Sequence, residues 1–307
     1  MMKVLKHLEH MELKEGSAVA LGTFDGLHIG HQAVINHTVR MASEKNLQSV
    51  VFTFSNLPRH FNKGLYQEER ILCIDDKIEL FEQLGVDVLV IVPFNSKVQG
   101  MSREAFLEYL LKSLNMKSLT VGYNFRFGLK AEGTAQWLLE QQEAYDFECK
   151  VVSAVVDHSD VVSSTRIREA LRNGDIELAN ELLGRHHYVS GVVHPGKQLG
   201  RTIGYPTANL KISPNMTLIK SGVYVTETIV DGRMYQSVTN VGFNPTFEQE
   251  DFNLETFIFD FDEVLYHKSI KVVFRNRIRD ELKFGSVEEL KDWIAKDVQE
   301  AMRFFER

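Results

Sequence analysis

Cysteine, proline, basic charge and long apolar runs are all scarce in this sequence, and each scarcity removes a class of protein. Its 307 residues include 2 cysteines. Cys73 and Cys149 stand far apart, in neither a CxxC pair nor a zinc spacing, so no disulfide framework or structural metal is expected and a reducing compartment fits. Each is read as a buried apolar residue. With 6 prolines, 44% apolar and 25% charged residues and no low-complexity tract, the composition is that of a folded globular chain. No stretch approaches the roughly 20 apolar residues that span a bilayer. Met1 to Met11 mixes Lys, His and Glu with isolated apolar side chains, unlike a secretory signal. A cytoplasmic protein with no membrane partner is the expectation. The net charge of −7 argues against a general grip on nucleic acid, so phosphate recognition should be local. A monomer or weak homo-oligomer is expected.

What is present suggests two domains, because 307 residues exceed the size at which one core usually keeps growing. In the first half, Ser17–Leu21, Ser49–Phe54, Val86–Val92, Leu119–Val121 and Lys150–Val156 read as strands. Gln32–Ser43, Asp75–Leu84 and Ser102–Leu114 carry helical spacing between them. This alternation predicts an α/β domain with a parallel, Rossmann-like sheet, which binds ligands outside the carboxyl ends of its strands.

A helical run, Asp175–Leu183, precedes a change of texture near Gly184, and the domains are placed at 1–184 and 185–307. Beyond Arg185 come β-rich runs: Tyr188–Val193, Gly222–Val230, Met234–Val241, Leu254–Phe259 and Ile270–Phe274. Asp231-Gly232 is a two-residue hairpin signal. A compact, mostly antiparallel β-barrel is expected, closed by a C-terminal helix over Ser286–Phe305. Ser286 and Glu289 form a capping box for it, and Leu290, Trp293, Ile294, Val298, Ala301, Met302 and Phe305 share a core-facing stripe.

Two segments of the first half carry chemistry. Ala20-Leu-Gly-Thr-Phe-Asp-Gly-Leu-His-Ile-Gly-His31 joins the first strand to the first helix. Gly26 and Gly30 would let phosphate approach the main chain at a helix start. His28 and His31, three apart, could hold a triphosphate and stabilise charge on departing pyrophosphate. As a bare string HxGH is short and also fits two surface histidines; the strand before it and the glycines favour the phosphate site. Ser163-Ser-Thr-Arg-Ile-Arg168 opens another helix after the last strand of this domain, so Ser164, Thr165 and Arg168 are donors suited to phosphate oxygens.

GTFDGLHIGH with SSTRIR resembles the nucleotidyltransferase half of bacterial bifunctional riboflavin kinase/FAD synthetases. Val121-Gly-Tyr-Asn-Phe-Arg-Phe-Gly128 is similar to that family's flavin-side loop. The resemblance implies ATP, FMN and Mg²⁺ as ligands, with Gly22, Phe24, Asp25, Gly30, Asn124, Arg126, Ser164 and Thr165 around nucleotide and FMN. It implies in-line attack of the FMN phosphate on the α-phosphorus of ATP, assisted by His28, His31, Arg168 and Mg²⁺. Where the family usually has Pro-His-Pro, this chain reads Phe54-Ser-Asn-Leu-Pro-Arg-His60, with Leu57 in place of the His.

The second half has Gly196-Lys-Gln-Leu-Gly-Arg-Thr-Ile-Gly-Tyr-Pro-Thr-Ala-Asn209 just before a strand. By composition this is a mobile hairpin, but it resembles the PTAN segment of riboflavin kinases. That likeness implies Gly200, Gly204, Thr207 and Asn209 at ATP, with Thr207 and Asn209 as Mg²⁺ ligands. Leu254-Glu-Thr-Phe-Ile-Phe-Asp-Phe-Asp262 resembles the family's Glu-x-His segment, with Glu255 as base for the riboflavin hydroxyl and Phe257 where His is common. Arg275–Phe284 resembles a second flavin-side loop, implying Arg279 and Glu281 as flavin contacts. Riboflavin phosphorylation to FMN and FMN adenylylation to FAD are the implied activities. Leu57 and Phe257 keep open a paralogue with one activity, or one that binds flavin without turnover.

Overall fold

The computed structural model describes residues 1–8, 12–58, 61, 69–196, 199–213, 215–245 and 250–306, the side chains of 199, 243–245, 250 and 251 excepted. Met11, Arg59, His60, Lys197 and Gln198 of the segments quoted above lie outside them. Two compact units emerge, Met1–Ser164 and Thr165–Arg307.

The first unit is a parallel sheet of β1 (Lys3–Leu5), β2 (Ser17–Leu21), β3 (Gln48–Phe54), β4 (Val88–Val92), β5 (Met116–Gly122) and β6 (Glu148–Val152), in the order β1-β4-β3-β2-β5-β6. Every residue of β2 and β4 is buried, as expected for strands covered on both faces. The chain winds from β2 through β3 to β4 on one side and from β5 to β6 on the other, so the order reverses between β2 and β5. An open sheet of this kind leaves its ligand crevice at that reversal.

Four helices of this unit matter here: α1 (Ile29–Lys45), α2 (Ile74–Gln83), α3 (Arg103–Ser113) and α4 (Ala135–Glu140). Each starts where a side chain accepts an otherwise unpaired backbone N–H: His28, Cys73, Ser102 and Thr134. Cys73 corrects the sequence reading. It is half-buried, its sulfur accepts from Asp76 N and its thiol donates to the Asp76 carboxylate, so it is a helix cap and not core. Burial, then the Asp76 bond, pushes its thiol up to about 11, which leaves it unreactive. The strand expected over Lys150–Val156 stops at Val152, and Val156–Asp157 starts a separate hairpin with Asp160–Val161. His158 and Ser159 turn that hairpin with φ of 46° and 77°.

The second unit begins with α5 (Ser164–Asn173), whose first residue closes the first unit, and α6 (Ile176–Leu183), which Gly184 ends in the left-handed region at φ 65°. A closed antiparallel barrel follows, built from β7 (Tyr188–His194), β8 (Ala208–Lys211), β9 (Gly222–Val230), β10 (Arg233–Pro245), β11 (Glu250–Ile258) and β12 (Ser269–Arg279). Lys220 N donates to Leu171 O and Asn180 Nδ2 to Phe274 O, joining both helices to the barrel. Asp231 and Gly232, at φ 49° and 78°, form the expected tight turn from β9 to β10. β12 runs past the expected Phe274 to Arg279 because Arg275–Arg279 still pairs with β9 through two register shifts.

The C-terminal helix α7 (Val287–Phe305) is capped by Ser286, which accepts from Glu289 N. Its Ile294, Val298, Ala301 and Phe305 pack on Val223, Val225 and Val238 of the barrel wall. Met302, expected in that stripe, is 42% exposed; Phe304 takes its place against the barrel. On the strand faces opposite this contact, the fully buried hydroxyls of Thr226, Thr228, Ser237, Thr239 and Thr256 bond to one another at 2.8–2.9 Å.

Candidate active sites

In the first unit, β2 delivers its chain into a tight turn before α1. Phe24 and Leu27 take φ of 46° and 45° and Gly26 takes 82°. The two non-glycine values are costly for side-chain-bearing residues and persist where surroundings enforce them. Enforcement is visible on every side. A Cβ at Gly22 would lie 2.8 Å from Phe24 Cζ, so only glycine lets the Phe24 ring fold back. That ring packs edge-on against His31 at 5.4 Å and Phe81 at 5.9 Å. Asp25 is buried, its carboxylate accepts from Ile71 N at 3.1 Å and its carbonyl from Ser164 Oγ at 2.8 Å. Thus Gly22, Phe24 and Asp25 build the turn, and Asp25 ties it to the first residue of α5.

His28 caps α1: its Nδ1 accepts from His31 N at 3.3 Å. An accepting Nδ1 places the ring proton on Nε2 in the neutral tautomer. The His28 and His31 rings stack 3.6 Å apart at 19°, and a Cβ at Gly30 would lie 3.2 Å from the His28 ring. Burial first, then His28 and Lys77, hold the His31 imidazole well below its usual range. Its Nδ1 is buried with no hydrogen-bond partner among the described residues. The structure therefore brings together an orphaned imidazole nitrogen, a second imidazole and a helix N-terminus at the reversal of the sheet. Such an array can take phosphate oxygens.

The other predicted residues of this half divide. Asn124 and Arg126 are exposed in the segment following β5, beside the same reversal, where Phe125 N closes a turn on Gly122 O and Arg126 Nη1 reaches Ala131 O at 3.5 Å. Thr165 is exposed and Arg168 is 4% exposed on α5; Ser164 and Arg168, four apart, share a helix face. Leu57 is buried.

Sequence reading missed Lys77. It lies on the buried face of α2, 5% exposed, and donates to Thr23 O at 2.6 Å and Thr53 Oγ1 at 2.9 Å. The available signal was its place four residues before Phe81, on the apolar stripe of its helix.

In the second unit, Glu255 of β11 pairs in register with Asn209 of β8 and Asn240 of β10, which puts the three side chains on one strand face. The half-buried Glu255 carboxylate has no hydrogen bond or ion pair among the described residues. Asn209 donates to Thr207 O and Oγ1 at 3.3 and 3.4 Å and accepts from Asn253 Nδ2 at 3.1 Å; Asn253 too escaped sequence reading. Glycine is required close by: a Cβ at Gly196 would lie 2.6 Å from the Asn209 carboxamide, and one at Gly200 2.3 Å from Tyr205 O. Gly204 bends at φ 93°. Phe257 packs edge-on to Tyr205 and beside Phe259. Glu281 lies over β10, its Oε1 2.7 Å from where a Gly242 Cβ would be. Arg279 is held by Asp297 at 2.8 and 2.6 Å and stacks over Trp293, an engagement that anchors α7.

Residues 10–166 match the family model described as FAD synthetase, and residues 183–305 the one described as riboflavin kinase. A Bacillus subtilis (strain 168) protein described as bifunctional riboflavin kinase/FMN adenylyltransferase is 37% identical over 307 residues, spanning 98% of this chain and 97% of that one. An Escherichia coli (strain K12) protein of the same description is 32% identical over 308 residues, spanning 99% and 98%. A Streptococcus pneumoniae crystal structure described as a macrolide-efflux protein matches with a TM-score of 0.87 at 32% identity, covering 97% of each chain. In the present chain no helix among the described residues is long and apolar enough to cross a membrane. On both family models, in this order, and on relatives matched over nearly their whole length, the chain belongs to the bifunctional riboflavin kinase/FMN adenylyltransferase family.

Proposed function

We propose that residues 185–307 phosphorylate riboflavin to FMN and that residues 1–184 adenylylate FMN to FAD with release of pyrophosphate, ATP serving both steps. The FAD synthetase model ends at 166 and the riboflavin kinase model starts at 183, which supports a division by activity near 184. The protein acts on small molecules in the cytoplasm, as a monomer or weak homo-oligomer.

For adenylyl transfer, the carrying observation is the stacked His28–His31 pair with its orphaned Nδ1 at the N-terminus of α1. Both imidazoles would receive the β- and γ-phosphates as charge develops on them, with Arg168, Ser164 and Thr165 as further donors. Gly30 gives the His28 ring its room, and Asn124 and Arg126 bind FMN from the segment after β5. Gly22, Phe24 and Asp25 serve the nucleotide through the shape of the turn.

For phosphorylation, Glu255 accepts the proton of the riboflavin hydroxyl as it attacks the γ-phosphorus of ATP. A half-buried carboxylate on a rigid strand, unpaired among the described residues, is suited to that role. Thr207 Oγ1 and Asn209 Oδ1 offer hard oxygens beside it, a donor set that fits Mg²⁺, which keeps most of its ligands as water and phosphate oxygen. No cluster of three or more His, Cys, Asp or Glu among the described residues competes for a metal. Bound there, Mg²⁺ would neutralise phosphate charge. Gly196, Gly200 and Gly204 let the flap approach the phosphates, Glu281 contacts the flavin from above Gly242, and Arg279 orients that segment.

The test is incubation of the purified protein with riboflavin, ATP and Mg²⁺ and chromatographic separation of the flavins. FMN followed by FAD is expected. Flavin bound tightly with neither product formed would favour the reading that Leu57 and Phe257 mark a flavin-binding protein, and FMN alone would confine activity to the kinase.

A further inference from the structure

We infer that Lys77 is a positioning residue of the adenylyltransferase site: sealed beneath the turn after β2, its ammonium fixes the strained backbone that presents His28 and His31 and lends that turn a positive charge at neutral pH. The inference rests on the site assignment above. A lysine this buried is uncommon unless its charge is used, since an apolar side chain would fill the same space without desolvation. Here the amine is bonded at two points. It donates to Thr23 O at 2.6 Å and to Thr53 Oγ1 at 2.9 Å, and Thr53 Oγ1 itself donates to Thr23 O at 3.0 Å. Thr23 precedes Phe24, the first residue of the turn with positive φ. One helical turn further along α2, Phe81 supports the Phe24 ring, which in turn backs His31. α2 thus holds the turn by its backbone through Lys77 and by its side chain through Phe81.

The charges around the amine come from three directions. Asp25 in the turn favours the ammonium, Arg70 ahead of α2 opposes it, and His31 on α1 feels it as a repulsion. Burial dominates and brings Lys77 down to about 8. The ammonium is therefore present at neutral pH and is lost as pH rises through about 8, which gives the geometric role a readout that simple packing lacks.

Lys77→Met, Lys77→Arg and Thr53→Val should be assayed for FAD formation from FMN and ATP across pH 6–10, with FMN formation from riboflavin measured in the same protein. Lys77→Met is expected to lower kcat for FAD by about 100-fold, in the range of a lost electrostatic donor, with KM for FMN little changed and FMN formation intact. A loss of FAD formation above about pH 8 is expected in the parent and should be absent from Lys77→Met. Lys77→Arg should recover part of kcat and show no decline up to pH 10, because guanidinium keeps its proton there. An unmoved alkaline limb in Lys77→Met, or unchanged kcat, overturns the inference. If Lys77→Met fails to fold, Thr53→Val decides: a severalfold lower kcat with the alkaline limb retained supports the role, and unchanged kcat removes it. His28→Ala separates the two levels. Intact FAD formation in His28→Ala sinks the site assignment, whereas loss there beside a neutral Lys77→Met sinks only the role of Lys77.

Discussion

The two proposed sites would solve phosphate chemistry with opposite materials. In the first unit the proposed working groups sit on a turn with left-handed residues at Phe24 and Leu27, wedged by an aromatic ring and underpinned by a buried lysine. In the second they stand on regular strands, where Asn209, Glu255 and Asn240 are neighbours because three strands keep register. Adenylyl transfer asks the protein mainly for charge at a departing pyrophosphate, which in the proposed site a helix start with two imidazoles would supply. Phosphorylation of an alcohol asks for a base and a metal ligand held at fixed separation, which in the proposed site a barrel wall would supply. Damage should consequently be local and charge-dependent in the first unit and register-dependent in the second.

The largest effects should come from removing one group from each site and reading both products. His28→Ala is expected to cost about 10³-fold in FAD formation, the upper range for one preorganised donor, while FMN still accumulates from riboflavin. Glu255→Gln keeps the shape of its side chain and should lower FMN formation by roughly 10²–10⁴-fold, the usual contribution of a positioned base. FAD made from supplied FMN should be untouched. Crossed effects, with either variant losing both products, would break the comparison.

Much of this contrast was legible beforehand because it is written locally. The alternation of apolar runs set the parallel sheet, Asp231-Gly232 the hairpin, and Ser286 with Glu289 the start of α7. The histidines were singled out because spacing and glycines sit together in one short string. Lys77, Thr53 and Asn253 were not, since each acts through a partner at a distance in sequence: Lys77 on Thr23, Asn253 on Asn209. Cys73 was misread because residue type alone does not tell a core thiol from a cap. Met302 was misread because the helical period could not tell it from Phe304 at the margin of the stripe.

A smaller effect should distinguish the units by acid. His187 in the second unit is 2% exposed, and neither ring nitrogen has a hydrogen-bond partner among the described residues. Burial, then the Arg185 charge, holds it down to about 3 from 6.5. The unfolded chain takes up a proton below pH 6.5 that the fold refuses until about 3. Stability is therefore whole above pH 6.5 and lost as pH falls toward 3, by about 1.4 kcal/mol per unit. Phe at this position keeps a ring beside Phe274, 5.9 Å away. Trp293 lies in the second unit and Trp137 in the first, so in a Trp137→Phe background Trp293 fluorescence follows the barrel alone. His187→Phe should shift its acid transition to lower pH; an unmoved transition would remove His187 as the cause.

The smallest effect probes whether register or charge matters in the barrel. Thr239 Oγ1 bonds Thr226 at 2.8 Å and Thr256 at 2.9 Å. The Thr226 hydroxyl keeps Ser237 if Thr239 becomes Val, but the Thr256 hydroxyl has no other hydrogen-bond partner among the described residues. Thr239→Val should thus destabilise the second unit by about 1–3 kcal/mol, the penalty of a stranded buried hydroxyl. Adding Thr256→Val removes the stranded group and should return part of that loss in denaturant unfolding. Thr256 directly follows Glu255 on β11, so the same pair reports on catalysis. If strand register alone holds Glu255 opposite Asn209, FMN formation at a temperature where both variants are folded should match the parent. A fall in kcat that the double variant deepens while stability recovers would show that the hydroxyl chain aims the carboxylate, and that the second site, like the first, leans on buried polar groups behind it.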